Sequence, residues 1–275
     1  MNSSGRSTTD SSESRDGTGT NRGTRTETER ERSPGADLGT AAVRVQNLHK
    51  RYGDVWALDG LDFGARVGEI FGLVGPNGAG KSTTLRIMST LLSPSGGDVT
   101  VFGASVTDDP NAVRESIRYL PEEAGSYDNL SGRGYLEFVA GFYTDDPEPM
   151  VERGVEIADL GDRIDDRTGE YSKGMTRKLL LGSTLMTDPE LAILDEPTSG
   201  LDVRNSRTIR EVIKAFPGDD RSVLLSSHNM LEVSYLCDRV ALLNEGRIVD
   251  VGTPDELVAE YESENLEDAF LEATA

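Results

Sequence analysis

Residues 75–83 of the chain read Gly75-Pro76-Asn77-Gly78-Ala79-Gly80-Lys81-Ser82-Thr83. This stretch decides the fold because it specifies both a ligand and the backbone that binds it. Its glycines allow the chain to curl until the backbone N–H groups point at a phosphate, where a side chain would block the approach. Lys81 supplies a positive charge for the β- and γ-phosphates of a nucleotide, and the Ser82 hydroxyl is suited to holding Mg²⁺. The stretch therefore predicts a phosphate-binding loop.

The residues on either side of this loop complete a pattern of strand, loop and helix. Residues 69–74 form an apolar run that predicts a buried strand entering the loop, and residues 82–92 predict a helix leaving it. The positive end of that helix dipole would face the phosphates. A glycine-rich turn that matches by chance is the alternative, and the strand and helix in the right order weigh against it.

A second apolar strand, residues 191–197, ends in two carboxylates. Asp195 can hold the coordination shell of Mg²⁺, and Glu196 beside it can orient or deprotonate an attacking water. Apolar strands also end in acidic loop residues for reasons unrelated to catalysis, and alone the two interpretations are evenly matched. The phosphate-binding loop upstream favours the catalytic interpretation.

Three further motifs follow along the chain. Residues 171–175 read Tyr-Ser-Lys-Gly-Met before a helical pattern, residues 199–202 read Ser-Gly-Leu-Asp, and the apolar strand 224–228 ends in His228. Together with the loop and the Leu-Asp-Glu-Pro strand end, this set resembles the nucleotide-binding subunit of an ABC transporter over about residues 41–255. The loop alone occurs in many families, whereas the whole set in this order is close to diagnostic.

The resemblance implies an α/β fold: a P-loop NTPase core of the RecA-like type with a mostly parallel sheet, an antiparallel β subdomain, and a helical subdomain that carries the signature motif, residues 171–175. The alternation of strand-like and helical patterns also favours a parallel sheet covered by helices. We expect the helical subdomain at about residues 128–187, inside an ATPase domain at residues 41–255.

The resemblance also assigns ATP and Mg²⁺ as ligands and gives roles to single residues. Tyr52 matches the aromatic residue that stacks on adenine, although a strand-end tyrosine without that role is a serious alternative. Glu196 matches the catalytic carboxylate, and His228 matches the switch histidine at the γ-phosphate. Ser172 and Gly174 match the signature residues that contact the ATP of the other subunit.

The remaining expected ligand residues fall into two sets. The phosphate-binding residues are Gly75, Pro76, Asn77, Gly78, Ala79, Gly80, Lys81, Ser82 and Thr83. The metal-binding residues are Ser82, Glu122 and Asp195. Since the signature acts on the other subunit's ATP, two subunits packed head to tail would complete two sites, and hydrolysis would let them separate. The near-complete motif set favours a homodimer.

Three features depart from the family pattern. The signature usually reads Leu-Ser-Gly-Gly-Gln, so Lys173 and Met175 replace a glycine and a glutamine. Glu122 stands where the family has a glutamine; it can also bind Mg²⁺, but it adds negative charge beside Asp195 and Glu196. Gly182 falls inside the helix that follows the signature, where it should cost about 1 kcal/mol relative to alanine, and close packing is the one reason we can give.

The charge of the chain is strongly negative, at −21. Residues 1–40 contribute only −1 of this, with six arginines against seven acidic residues, and lysine occurs at five positions: Lys50, Lys81, Lys173, Lys178 and Lys214. Such a surface resembles proteins of salt-accumulating halophiles, in which molar salt screens the self-repulsion to a Debye length of about 3 Å. A basic stripe is missing from the sequence, which argues against nucleic acid as a partner.

The two ends of the chain differ from its middle. Residues 1–40 contain fifteen Ser or Thr and lack aromatic residues, so we expect a disordered polar tail. Residues 256–275 predict an acidic, helical C-terminal extension.

The sequence shows no apolar run of the roughly 20 residues needed to cross a bilayer, and we expect no signal peptide. The single cysteine, Cys237, excludes an internal disulfide, lies in an apolar context and suits a reducing cytoplasm. We therefore expect a cytoplasmic protein that is peripheral on the inner face of the cell membrane, through an integral-membrane permease on another chain.

The leading function is the ATP-hydrolysing motor subunit of an ABC transporter. The stand-alone domain, the Tyr-Ser-Lys-Gly-Met signature and the Leu-Pro-Glu-Glu stretch at residues 120–123 resemble the export-type branch. One alternative is a soluble ABC-type ATPase acting on ribosomes or DNA, which usually carries two nucleotide domains or long coiled-coil inserts. The other is a non-hydrolysing ATP-gated clamp, which the presence of Glu196 and His228 disfavours and the altered signature favours.

Overall fold

The computed structural model describes residues 41–275, and the polar tail predicted at residues 1–40 lies outside them. The strands of the described part are β1 (Ala41–Tyr52), β2 (Val55–Arg66), β3 (Ile70–Val74), β4 (Gly96–Val101), β5 (Ala104–Ser105), β6 (Ile117–Leu120), β7 (Leu191–Asp195), β8 (Ser222–Ser227), β9 (Arg239–Asn244) and β10 (Arg247–Gly252). The helices of the same part are α1 (Lys81–Met88), α2 (Pro110–Ser116), α3 (Gly132–Ala140), α4 (Glu148–Ala158), α5 (Lys173–Leu185), α6 (Val203–Ala215), α7 (Met230–Leu236), α8 (Pro254–Glu260) and α9 (Leu266–Ala273).

These strands form two sheets of different kinds. The first has the order β2-β1-β4-β5 and is antiparallel throughout. The second has the order β10-β9-β3-β8-β7-β6, in which β9, β3, β8, β7 and β6 run parallel and β10 is antiparallel to β9. The predicted α/β class, with a mostly parallel core sheet and an antiparallel β subdomain, is confirmed.

The parallel strands bring four chain segments to one edge of the second sheet. The carboxyl ends of β3, β8, β7 and β6 lie side by side there, since Val74 pairs with Ser227, Asp195 with Ser226, and Leu120 with Leu194. The segments that follow these strands therefore meet at the same edge, although they are far apart in the sequence. We call this edge the nucleotide edge.

The core lies on both faces of the parallel sheet. Side chains alternate along a strand, so Phe71 and Leu73 of β3 pack toward the antiparallel sheet and α1. Ile70 and Val74 of the same strand pack on the opposite face, against the layer that contains α5, α6 and α7. The rings of Phe63 and Phe71 stack at 5.6 Å between the two sheets. Because both faces of β3 are buried, the strand is a rigid support for the loop that follows it.

Three helices, α3, α4 and α5, form a further layer with its own apolar cluster, which includes Leu136, Val151 and Leu179. Gly182 explains how α4 and α5 come so close together. A Cβ at this position would lie 2.6 Å from the backbone oxygen of Gly154. The prediction that close packing requires this glycine is confirmed.

Two predicted helices have different bounds in the structure. The helix after the loop ends at Met88 instead of residue 92, because Thr90 takes a left-handed backbone with φ of 59°. The C-terminal segment holds two helices, α8 and α9, because Glu262 has φ of 48° and Asn265 caps the first turn of α9. Both helices pack on the domain, and Phe270 of α9 is part of its core.

Cys237 is buried in this core, as predicted, and burial raises the pKa of its thiol well above the usual value. In the described part, none of the helices combines the length and the apolar character needed to cross a membrane. The division into an ATPase domain at residues 41–255, a helical subdomain at about 128–187 and an extension at 256–275 stays a prediction.

Candidate active site

The loop between β3 and α1 has a backbone that suits an anion at the start of α1. α1 begins at Lys81 without a side-chain cap and without an acidic residue in its first turn. Gly80, the residue before it, has φ of 112°, which strongly favours glycine. A Cβ at Gly75 would lie 2.0 Å from the backbone oxygen of Leu243, so the neighbouring strand requires glycine there as well. This backbone fits a phosphate group at a helix N-terminus.

Lys81 lies folded over the loop. Its side chain is only 5% exposed, and Nζ donates hydrogen bonds to the backbone oxygens of Gly75 at 2.7 Å and Pro76 at 3.2 Å. Nζ also lies 3.3 Å from Oε1 of Glu196. The ammonium group therefore connects the phosphate-binding loop to the end of β7, and it would exchange these contacts for phosphate oxygens.

Asp195 is the most heavily hydrogen-bonded carboxylate of the site. Ser82 Oγ donates to its Oδ1 at 3.2 Å, and Ser226 Oγ donates to the same oxygen at 2.5 Å. Tyr119 OH donates to Oδ2 at 3.2 Å. Burial, with a further contribution from Asp195, raises the pKa of Tyr119 to about 12, so the phenol keeps its proton and stays a donor. These three donors fix Asp195 in one orientation.

The oxygens of Ser82 and Asp195 fit a magnesium ion. Neighbouring ligands in an octahedron with bonds of about 2.1 Å lie about 3 Å apart, and these two oxygens are 3.2 Å apart. Within residues 41–275, groups of three or more His, Cys, Asp or Glu that could hold a metal are not found. Mg²⁺ is usually held by one or two carboxylates together with phosphates and waters. Glu122 follows β6 at the same edge, and its carboxylate accepts from Ser199 Oγ at 3.4 Å.

Glu196 is buried between two basic side chains. It is 6% exposed, and His228 Nδ1 lies 2.8 Å from its Oε2, while Lys81 Nζ faces Oε1. Glu196 has φ of 47°, an uncommon conformation for this residue type, and its N–H donates to both oxygens of Ser226. The structure thus brings Lys81, Asp195, Glu196 and His228 together, as expected from strand ends of a parallel sheet.

Glu232 on α7 is a site residue that the sequence did not indicate. Its buried carboxylate accepts from Thr198 Oγ1 at 2.5 Å and from Ser227 Oγ at 3.2 Å. Thr198 lies two residues after Glu196, and Ser227 lies directly before His228. Glu232 therefore ties the two segments that present Glu196 and His228 to one helix.

The signature motif lies apart from these residues, at the start of α5. Ser172 is exposed and caps α5, accepting from the Met175 N–H at 3.3 Å. Gly174 packs on α6, since a Cβ there would lie 2.4 Å from Nδ2 of Asn205. Lys173 Nζ lies beside Gly200 of the Ser-Gly-Leu-Asp motif. The two motifs thus form one surface, which we call the signature surface.

Tyr52 is half-exposed at the end of β1, with Lys50 Nζ 5.2 Å from its ring centroid. The strand pairing places the middle of this hairpin near the loop: Lys50 lies opposite Leu58, whose side chain would be 2.6 Å from a Cβ at Gly80. Trp56, also half-exposed, lies on the same hairpin opposite Arg51 and is a second aromatic residue that the sequence did not indicate.

A parallel sheet with this loop after β3, and with Asp195 and Glu196 at the end of β7, two strands away, defines a P-loop ATPase. The family model described as ABC transporter matches residues 58–199, about half of the chain. The chain belongs to the ABC transporter family, as an ATP-binding subunit with an ABC ATPase domain.

Named relatives and solved structures agree with this assignment. The chain is 37% identical over 235 residues to a daunorubicin resistance ATP-binding protein (DrrA3) of Streptomyces coeruleorubidus, covering 84% of this chain and 74% of the relative. It is 39% identical over 227 residues to a fluoroquinolones export ATP-binding protein of Mycobacterium tuberculosis, covering 81% and 74%. A solved ATP-binding subunit of an ABC transporter aligns with a TM-score of 0.77 at 27% identity, over 85% of this chain and 100% of that one.

Proposed function

We propose that this chain hydrolyses Mg²⁺-ATP as a homodimer and drives a separate integral-membrane permease of the export type. The observation that carries the proposal is the position of Glu196, a buried carboxylate held between His228 and Lys81 at the end of a strand beside the phosphate-binding loop. A carboxylate in this place can act on a water molecule in line with the terminal phosphate.

The chemistry follows from the contacts at the nucleotide edge. The terminal phosphate of ATP takes the place of Glu196 and the loop carbonyls as partner of Lys81 Nζ. Glu196 then accepts a proton from the water that attacks the γ-phosphorus, the bond from that phosphorus to the bridging oxygen breaks, and ADP leaves with the bond's electron pair. His228, which holds Oε2 of Glu196, orients that carboxylate and reaches the γ-phosphate.

Ser82 and Asp195 would hold Mg²⁺, with Glu122 as a third candidate ligand. The ion would supply positive charge to the β- and γ-phosphate oxygens. Ser226 and Tyr119 keep Asp195 turned toward this position by donating to it.

A second copy of the chain would complete the site. Ser172 and Lys173 are exposed on the surface of the single chain. The hydroxyl of the one and the ammonium group of the other are suited to binding a γ-phosphate. A two-fold arrangement would place the signature surface of each copy over the nucleotide edge of the other. ATP would then hold the closed dimer together, and its hydrolysis would release it.

An exposed group of aromatic side chains on the helical layer is proposed as the permease contact. Tyr127, Phe138 and Phe142 form a row of edge-to-face contacts at 5.3 Å and 5.1 Å, and Phe142 is 72% exposed. We call this row the aromatic patch. Large exposed apolar groups of this kind mark interaction sites. A cytoplasmic segment of the permease would cover the patch, which places the chain on the inner face of the membrane.

The test has two parts. Purified full-length protein in high KCl should release phosphate from ATP, and EDTA should abolish the release. Tagged protein extracted from its native membranes in mild detergent should carry along a multi-span membrane protein. The variant Phe142→Ser should lose that protein and keep its ATPase activity, whereas Leu91→Ser, an exposed leucine after α1, should behave as wild type. A wild-type protein that binds ATP without hydrolysing it, or that copurifies with ribosomes, would overturn the proposal.

A further inference from the structure

Arg177 has a hydrogen-bonding pattern that none of the roles above explains. It lies on α5, five residues after Ser172, and its side chain is only 7% exposed. Its guanidinium donates to five backbone oxygens: Pro197 at 2.9 Å, Pro121 at 2.6 Å, Glu122 at 3.3 Å, Asp195 at 2.7 Å and Glu196 at 3.2 Å. One side chain of the helical layer thus binds the carboxyl ends of two core strands.

The charge of Arg177 is as unusual as its geometry. Buried arginines are normally paired with a carboxylate, whereas here every hydrogen bond goes to a neutral carbonyl. Burial lowers the pKa of the guanidinium, while the carboxylates of Asp195, Glu122 and Glu196 oppose that effect. The group stays protonated. Its positive charge therefore lies among three carboxylates, one of which is the glutamate that stands in place of the family's glutamine.

We infer that Arg177 is a positioning residue for the proposed ATPase. It couples α5, which carries the signature at its N-terminal end, to the segments that present Glu196 and Glu122. When Ser172 and Gly174 close on the ATP of a second copy, α5 moves, and Arg177 transmits that movement to Glu196. The inference rests on the proposed function.

The fork of the guanidinium is essential to this role. Arginine presents five donors in a fixed plane, and this one plane reaches the ends of β6 and β7 at once. A lysine keeps the charge but offers one compact ammonium group, which reaches only one of the two strand ends. The conservative replacement therefore separates the geometry of Arg177 from its charge.

The first experiment compares the steady-state ATPase kinetics of wild type and Arg177→Lys. We expect kcat to fall about 10- to 100-fold, since small misplacements of a reacting group have effects of that size. KM and nucleotide affinity should stay within about threefold, because the phosphate-binding loop is untouched. Arg114→Lys on α2 is the matched control, an exposed arginine that contacts Thr90 and Asn111, and it should keep wild-type kinetics. A wild-type kcat in Arg177→Lys would overturn the inference.

A second experiment tests the charge and does not depend on turnover. Arg177→Met should lower the melting temperature, and adding Glu122→Gln, which removes one of the three surrounding negative charges, should restore part of the loss. Absence of any recovery would overturn the role of Arg177 as the countercharge. If wild type hydrolyses no ATP, the proposed function fails, whereas an active wild type with an unaffected Arg177→Lys refutes only the positioning role.

Discussion

The nucleotide edge and the signature surface are the two halves of the proposed ATP site, yet the chain builds them in opposite ways. At the nucleotide edge, Lys81, Asp195 and Glu196 are buried and each has several partners within the same chain. On the signature surface, Ser172 and Lys173 are exposed, and their contacts are with α5 and with Gly200 before α6.

This difference shows which part of the reaction one chain can prepare alone. The carboxylates and the lysine are oriented before a nucleotide arrives, so their ordering takes place during folding. The signature surface faces solvent, so in the proposed dimer it would be ordered against a phosphate only when two copies meet. In the proposed dimer, closing would therefore complete the site and, through Arg177, adjust the position of Glu196.

The largest effect on kcat is expected from Glu196→Gln, and such an effect would confirm that the chemical step takes place at the nucleotide edge. Since a positioned general base contributes about 10²- to 10⁴-fold, kcat should fall at least about 100-fold. ATP should still bind, because Lys81 and the loop are intact, and the variant should form a stable ATP-bound dimer on size exclusion with light scattering. Unchanged phosphate release would show that Glu196 is not the catalytic carboxylate.

A mixing experiment tests whether the two halves act across the dimer. Lys81→Met damages the nucleotide edge and Ser172→Arg damages the signature surface, so each variant alone should be inactive. In a mixed dimer one of the two sites combines an intact loop with an intact signature. Half of the dimers in an equal mixture are mixed, so about a quarter of the wild-type activity should return. A mixture as inactive as its components would place both halves of each site on one chain.

The positions of the nucleotide edge were largely predictable because each lies at the end of a parallel strand. The loop, Asp195, Glu196 and His228 end strands whose apolar patterns are clear, and strand ends of a parallel sheet meet at one edge. The signature motif was found from its residue order alone.

The residues that hold the site together were not predictable in the same way. Tyr119 and Ser226 bind Asp195 because of the strand register, which pairs Ser226 with Asp195 and places β6 beside β7. The role of Arg177 depends on how α5 docks on the sheet, and that of Glu232 on the first turn of α7. An arginine or a glutamate in an amphipathic helix normally indicates a solvated face, so the sequence holds no signal for either role.

Salt should affect the approach of the signature surface to a second copy more than it affects the nucleotide edge. Each chain carries a charge of −21, so two copies repel each other as they close. Screening shortens the Debye length from about 10 Å at 0.1 M salt to about 3 Å at 1 M. We expect the dissociation constant of the ATP-bound Glu196→Gln dimer to fall as the KCl concentration rises. We also expect the melting temperature of wild type to rise by about 5 °C or more between about 0.1 M and about 3 M KCl. A melting temperature that stays constant over this range would contradict a halophilic surface.

The smallest effect is expected from Gly182→Ala, which changes the packing of α5 against α4 without altering a residue of the nucleotide edge or of the signature surface. Alanine is favoured over glycine inside a helix by about 1 kcal/mol, so propensity alone predicts a more stable protein. The new Cβ would lie 2.6 Å from the oxygen of Gly154, however, and overpacking of this kind costs about 1–3 kcal/mol. We expect the packing cost to be the larger, so the free energy of unfolding in urea should fall. Gly125→Ala is the control, since a Cβ there meets nothing within 4 Å.

The same variant should also have a small kinetic effect. Because α5 carries the signature at its start, a shift of this helix in Gly182→Ala should lower kcat slightly. The affinity for ATP, which the nucleotide edge sets, should stay the same. A variant that is more stable than wild type would show that α4 and α5 can separate freely, and the helical layer could then not transmit closure of the signature to Glu196.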